Sequence, residues 1–135
     1  MKEDNPSKKT AKKIIRSKVR VTQEMENAAI ALGNALYTEK TVAMRLVVGL
    51  ATRFADPKKV HGVMERKGYH LNRQGQKDNL YPVSIDLTLT EGLDAYIEHK
   101  AQAWEVPRVA VIRAFYQWGL ENLGAFTLGD LLEAN

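Results

Sequence analysis

At 135 residues the chain has room for one small domain or two very small ones. Apolar residues make up 44%, enough for a compact core, which excludes a chain that is disordered throughout. Cysteine is absent, which removes disulfides, thiolate metal sites and thiol nucleophiles together and fits a reducing cytoplasm. No apolar run approaches the roughly 20 residues that span a bilayer, and Met1 to Thr10 lacks the apolar stretch of a signal peptide. A cytoplasmic protein that does not enter the membrane is therefore expected. The net charge of +4 hides an asymmetry: residues 1–68 hold 15 Lys and Arg against 7 Asp and Glu, and residues 69–135 hold 5 against 9. A basic half of this kind suits a polyanion, nucleic acid or an acidic membrane surface, although a solvating tail has the same composition.

In chain order, residues 1–14 read as a basic flexible arm, polar and without apolar period, with Lys12 and Lys13 at its end. Ile15, Ser17, Val19 and Val21 then alternate with Arg16, Lys18 and Arg20. Period two makes this a strand with one face buried and the other entirely basic. From Thr22, a plausible N-cap, the period becomes helical through Met25, Ala28, Ala29, Leu32 and Leu36. A break at Tyr37 to Lys40 precedes a second helix marked by Val42, Ala43, Leu46, Val47, Leu50 and Phe54, which completes a unit over 15–55. Residues 56–81 form a connector too long to be structureless in a compact domain. Within it, Asp56 as N-cap, Pro57 at the first position and Gly68 as C-terminal cap frame a short helix.

The plan then repeats over 82–123. Val83, Ile85, Leu87 and Leu89 alternate with Ser84, Asp86 and Thr88, and Thr90 stands where Thr22 stood. Leu93, Tyr96, Ile97, Ala101 and Trp104 mark one helix. After Glu105-Val106-Pro107, the residues Val111, Ala114, Phe115 and Trp118 mark another, with Pro107 in its first turn. Residues 124–135 form a tail in which Leu128, Leu131 and Leu132 cover some edge of the core. A shift of 68 residues places Val21 on Leu89, Met25 on Leu93, Leu36 on Trp104 and Arg45 on Arg113, a repeat of pattern more than of letters. A lone strand has unpaired edges, so the economical fold is mostly helical with one two-stranded antiparallel ribbon, made by two strand-helix-helix units in one chain around a pseudo-twofold axis. Counting back from the two threonines sets Lys18 across from Asp86, Arg20 across from Ser84 and Arg16 across from Thr88. The same register in a homodimer would face like charges, so a monomer with an intramolecular pseudo-dimer is expected, with Asp86 holding Lys18.

This pattern of strand, Ser/Thr cap and two amphipathic helices resembles the ribbon-helix-helix family of Arc-like and MetJ-like repressors. The likeness is best over 85–118, from Ile85-Asp86-Leu87-Thr88-Leu89-Thr90 through Val109-Ala110-Val111-Ile112-Arg113. In tandem form it resembles relaxosome accessory proteins of conjugative plasmids and proteins that bind the borders of transferred DNA. The resemblance implies a sequence-preferring binder of double-stranded DNA, acting as an accessory or regulatory factor in conjugative DNA processing or plasmid maintenance, with a relaxase or other DNA-processing protein as a further partner. A transcriptional repressor or antitoxin-like autoregulator is the alternative, and a protein-interaction module whose basic arm docks an acidic partner is a third reading. It implies base contacts from the outward residues Arg16, Lys18, Arg20, Ser84 and Thr88 in the major groove, where all four base pairs are distinguishable. Phosphate contacts fall to Lys40, Thr41 and Arg108 at the start of each second helix, with Lys12 and Lys13 from the arm. Lys58, Lys59, Arg66 and Lys67 of the connector are either further backbone contacts or solvated surface. Asp86 departs from the pattern, since a carboxylate in the groove is repelled by phosphate and accepts chiefly from the cytosine amino group.

No catalytic site, metal site or cofactor is expected. His61, His70 and His99 are scattered, and the His61/Glu65 spacing alone does not make a metal site. Trp104, Phe115, Tyr116 and Trp118 at helical spacing read as core in preference to a base-stacking surface.

Overall fold

The structure is a computed structural model that describes residues 14–71 and 80–133. The alternating segments form strands β1 (Ile14–Val21) and β2 (Val83–Thr90), paired antiparallel in a two-stranded sheet. Lys18 lies opposite Asp86, Arg20 opposite Ser84 and Arg16 opposite Thr88. Val19, Val21, Ile85, Leu87 and Leu89 point down into the core, and their neighbours in sequence face outward.

Each strand runs directly into a helix capped by its terminal threonine. Thr22 Oγ1 accepts the Met25 amide at 3.0 Å to start α1 (Gln23–Ala35), and Thr90 Oγ1 accepts the Leu93 amide at 3.3 Å to start α4 (Glu91–Trp104). Such a cap satisfies one of the free amides of the first turn and contributes about 1 kcal/mol. Both helices then end in the same turn. The Thr38 amide reaches back to the Gly33 carbonyl at 2.8 Å, and the Val106 amide to the Ala101 carbonyl at 3.0 Å. This closure needs a left-handed residue between, which is Tyr37 (φ 57°) in one turn and Glu105 (φ 56°) in the other.

The chain next forms α2 (Lys40–Phe54) and α5 (Arg108–Asn122), the two most buried helices. They cross beneath the ribbon, α2 under β2 and α5 under β1, so each supports the strand from the other half of the chain. At the crossing the backbones approach closely. A Cβ placed on Gly119 would lie 2.5 Å from Val47 Cγ1 and 3.1 Å from the Val47 carbonyl oxygen, with Ala51 Cβ at 3.7 Å.

The connector holds α3 (Pro57–Lys67), with Asp56 as N-cap, Pro57 in the first turn and Gly68 in the left-handed C-terminal position, as the cap signals predict. It packs on α5, where Arg66 pairs with Glu121 at 2.9 Å and the Tyr69 hydroxyl donates to Gln117 at 3.4 Å. After a 3-10 turn (Leu123–Ala125), the tail forms α6 (Leu128–Glu133), which packs on α2 through the buried Leu131. The third helix that follows each half thus rests on the other half.

Small departures from the sequence-based boundaries have local causes. Ile14, assigned to the arm, pairs with Thr90 and belongs to β1. Pro107 stands at the N-cap of α5, one place before the first turn, with extended backbone at ψ 152°. Phe115 and Tyr116 are fully buried, and Trp104 and Trp118 pack against the same core, so these rings are structural. Among the described residues no helix is long and apolar enough to cross a membrane.

Candidate nucleic-acid interface

The charged part of the ribbon's outward face is three cross-strand rows: Arg16 with Thr88, Lys18 with Asp86, Arg20 with Ser84. All but Thr88 are exposed. These rows carry three cations on one strand and one carboxylate on the other, and the exposed Ile14 ends the same face. A two-stranded ribbon of this kind is of a size that B-DNA's major groove, about 12 Å wide, admits.

These side chains differ in how the fold holds them. Arg16 and Lys18 make no hydrogen bond or ion pair with another described residue and extend into solvent. Arg20 is steered: its Nε donates to the Tyr81 carbonyl at 3.0 Å and its Nη2 to the Pro82 carbonyl at 3.4 Å, groups that precede β2. Its own carbonyl accepts from Arg113 Nε at 2.8 Å. Arg113 is buried, and the Tyr81 ring covers its guanidinium at 3.6 Å. Burial lowers the Arg113 pKa, while the nearby tyrosines oppose that effect. Thr88 is tied from below, because its hydroxyl accepts from Arg45 Nη1 at 3.2 Å.

One expected contact is absent. Lys18 and Asp86 face each other, yet no ion pair joins them. Both are exposed, and in water an ion pair contributes at most about 1 kcal/mol, too little to fix two mobile side chains. Asp86 sets the charge of its row without holding Lys18.

The helix starts beside the ribbon carry the second part of the candidate interface. The first turns of α1, α3 and α4 are capped by Thr22, Asp56 and Thr90, whereas α2 begins after Glu39 and α5 after Pro107 with no side-chain cap. The first amides of these two helices are donors of the kind that bind phosphate oxygens, at the positive end of the helix dipole. Lys40 and Thr41 stand at one, Arg108 at the other. Neither basic side chain is free. Lys40 Nζ lies 2.5 Å from Glu26 Oε2. Arg108 lies 2.5 Å from Asp94 Oδ1 and 3.3 Å from Glu98 Oε1, and donates to Ser17 Oγ at 2.9 Å. The hydrogen bond from Lys40, with a second from Gln23, holds the Glu26 pKa below its ordinary value. These carboxylates were not singled out by sequence reasoning. The signal existed, because an acid stands 14 residues before the cation in both halves, Glu26 before Lys40 and Asp94 before Arg108.

Lys12 and Lys13 lie outside the described residues. Lys58, Lys59 and Lys67 are exposed on α3, and Arg66 is held by Glu121. Among the described residues no cluster of His, Asp and Glu has metal-ligand geometry, and His61 Nδ1 sits 3.6 Å from Glu65 as an ordinary helical neighbour. No known protein family, curated protein or solved structure matches the chain.

Proposed function

We propose that the chain is a tandem ribbon-helix-helix protein, two units related by a pseudo-twofold axis, that binds double-stranded DNA by laying the outward face of its ribbon in the major groove. The observation that carries this reading is the row of Arg16, Lys18 and Arg20 on one exposed strand face, flanked by the uncapped starts of α2 and α5. The tandem part draws support from one shift of 68 residues that relates many features at once. It relates the caps Thr22 and Thr90, the left-handed Tyr37 and Glu105, the cations Lys40 and Arg108, and their partners Glu26 and Asp94. It also relates Lys18 to Asp86 and Ala51 to Gly119, which meet each other, as residues beside a twofold axis must.

On this reading the cations of β1 contact base edges, the helix starts hold phosphates on either side, and Asp86 accepts from a cytosine amino group or stays in water. An accessory or regulatory role in DNA processing, beside a relaxase or similar enzyme, is the setting we favour.

Fluorescence anisotropy on labelled duplexes over a salt series tests it. Affinity should fall with a slope of about −0.9 in log–log form for each phosphate neutralised. Arg20→Ala should lose roughly 1–3 kcal/mol on a selected site and relax preference at one base position. An affinity independent of salt, or equal loss from Arg20→Ala on every sequence, overturns the corresponding assignment.

A further inference from the structure

Arg45 and Arg113 occupy matching positions in the two halves, and each reaches the ribbon residue that matches the other's, Thr88 and Arg20. Their surroundings differ. Arg113 is complete, with Nε bonded to the Arg20 carbonyl and its flat face covered by the Tyr81 ring. Among the described residues the buried Nε–H of Arg45 has no hydrogen-bond partner, a state that costs on the order of 1–3 kcal/mol. The position that matches Tyr81 in the first half is Lys13, a residue without a ring that lies outside the described residues.

Arg45 instead lines a cleft of about 340 Å³ between α2, the start of α4 and the end of α6. Arg53, Thr52, Thr90, Tyr96 and Glu133 line it as well. Arg53 Nη1 donates to the Glu133 carbonyl at 3.2 Å, which draws α6 over one side. The volume falls in the range of small-molecule sites. Two guanidinium groups against one exposed carboxylate leave the lining net positive, and Tyr96 supplies an aromatic wall.

We propose that this cleft binds a small aromatic carboxylate, whose ring takes against Arg45 the place that Tyr81 takes against Arg113. The carboxylate accepts from Arg53, and the hydroxyls of Thr52 and Thr90 border it. The inference rests on the correspondence of the two halves and is independent of DNA binding, so either can fail alone.

The test titrates 4-hydroxybenzoate into the full chain, followed by the Arg45 Nε–H resonance and the Gly92 and Thr52 amides. Neutral 4-hydroxybenzamide and non-aromatic cyclohexanecarboxylate serve as comparators. Saturable shifts confined to these groups, with a dissociation constant on the order of 1 mM, are expected for a ligand of this size. Both comparators should bind at least about tenfold more weakly, the loss of an ionic or stacking contact. Arg45→Lys should abolish the shifts. Arg53→Gln, away from the ribbon, should weaken binding severalfold with circular dichroism unchanged, and Glu133→Gln should strengthen it. No saturation by about 20 mM, twenty times the expected constant, overturns the proposal. So does equal binding of either comparator, or full binding by Arg53→Gln.

Discussion

Gly119→Ala tests the crossing on which the whole ribbon rests. On an isolated helix the change stabilises by about 1 kcal/mol, because glycine is the poorer helix former. Here the new Cβ would stand 2.5 Å from Val47 Cγ1 and 3.1 Å from the Val47 carbonyl oxygen. Carbon atoms in contact rest at about 3.5–4.0 Å, so the overlap is roughly 1 Å. Val47 is fully buried and β-branched, with one favoured rotamer in a helix, so it cannot turn aside cheaply. Overpacking of this kind costs typically 1–3 kcal/mol, which leaves a net loss of up to about 2 kcal/mol after the propensity gain. Urea denaturation should show the midpoint falling with little change in slope. Val47→Ala opens the space, and in that background Gly119→Ala should turn neutral or stabilising, a coupling of about 1–3 kcal/mol. A gain near 1 kcal/mol in both backgrounds would refute the close approach of α2 and α5.

Glu26→Gln should raise affinity for all duplexes by up to about fivefold, since Lys40 no longer has to leave a carboxylate partner to reach phosphate; unchanged or weaker binding removes Lys40 from the interface. The same variant bears on acid stability. The Glu26 pKa is depressed below 4.5, so its contribution is present above that pH and is lost as pH falls through the folded value. Stability of Glu26→Gln should therefore fall less steeply than wild type below about pH 4.5, followed by circular dichroism. Thr22→Ala and Thr90→Ala should each cost about 1 kcal/mol by urea titration; a cost at only one would break the equivalence of the two caps. Tyr116→Phe removes a buried hydroxyl that donates to the Met25 carbonyl at 2.9 Å and should cost about 1–2 kcal/mol in the same assay.

The parts of the fold legible in the sequence are those written in local period and caps. Alternation marks both strands, and Thr22 and Thr90 fix where each ends. The distance back from those threonines is enough to align Lys18 with Asp86, as the ribbon has them. Asp56, Pro57 and Gly68 delimit α3 almost to the residue. What stayed hidden depends on contacts between distant segments. Nothing local says that α3 rests on α5 and α6 on α2, so α3 reads as part of a connector although it packs against the other half. Arg113 matches Arg45 by position, but its burial depends on Tyr81, which arrives from the segment before β2. For the candidate interface, the outward set follows from period two. The restraints on Arg20, Thr88, Lys40 and Arg108 do not, because each partner lies on another element.

The row of Lys18 against Asp86 has a consequence for how this ribbon varies over generations. When two copies of one gene product form a ribbon, every substitution appears on both strands, and the residue at the axis must tolerate its own twin. Here each strand is encoded once. A lysine can face an aspartate, one strand can gather three cations while the other keeps Ser84, Asp86 and Thr88, and each change is selected on its own merit. On the proposed DNA-binding reading, a target recognised by such a ribbon is free of the requirement to be a palindrome, and its two halves can drift separately without the protein losing its fold.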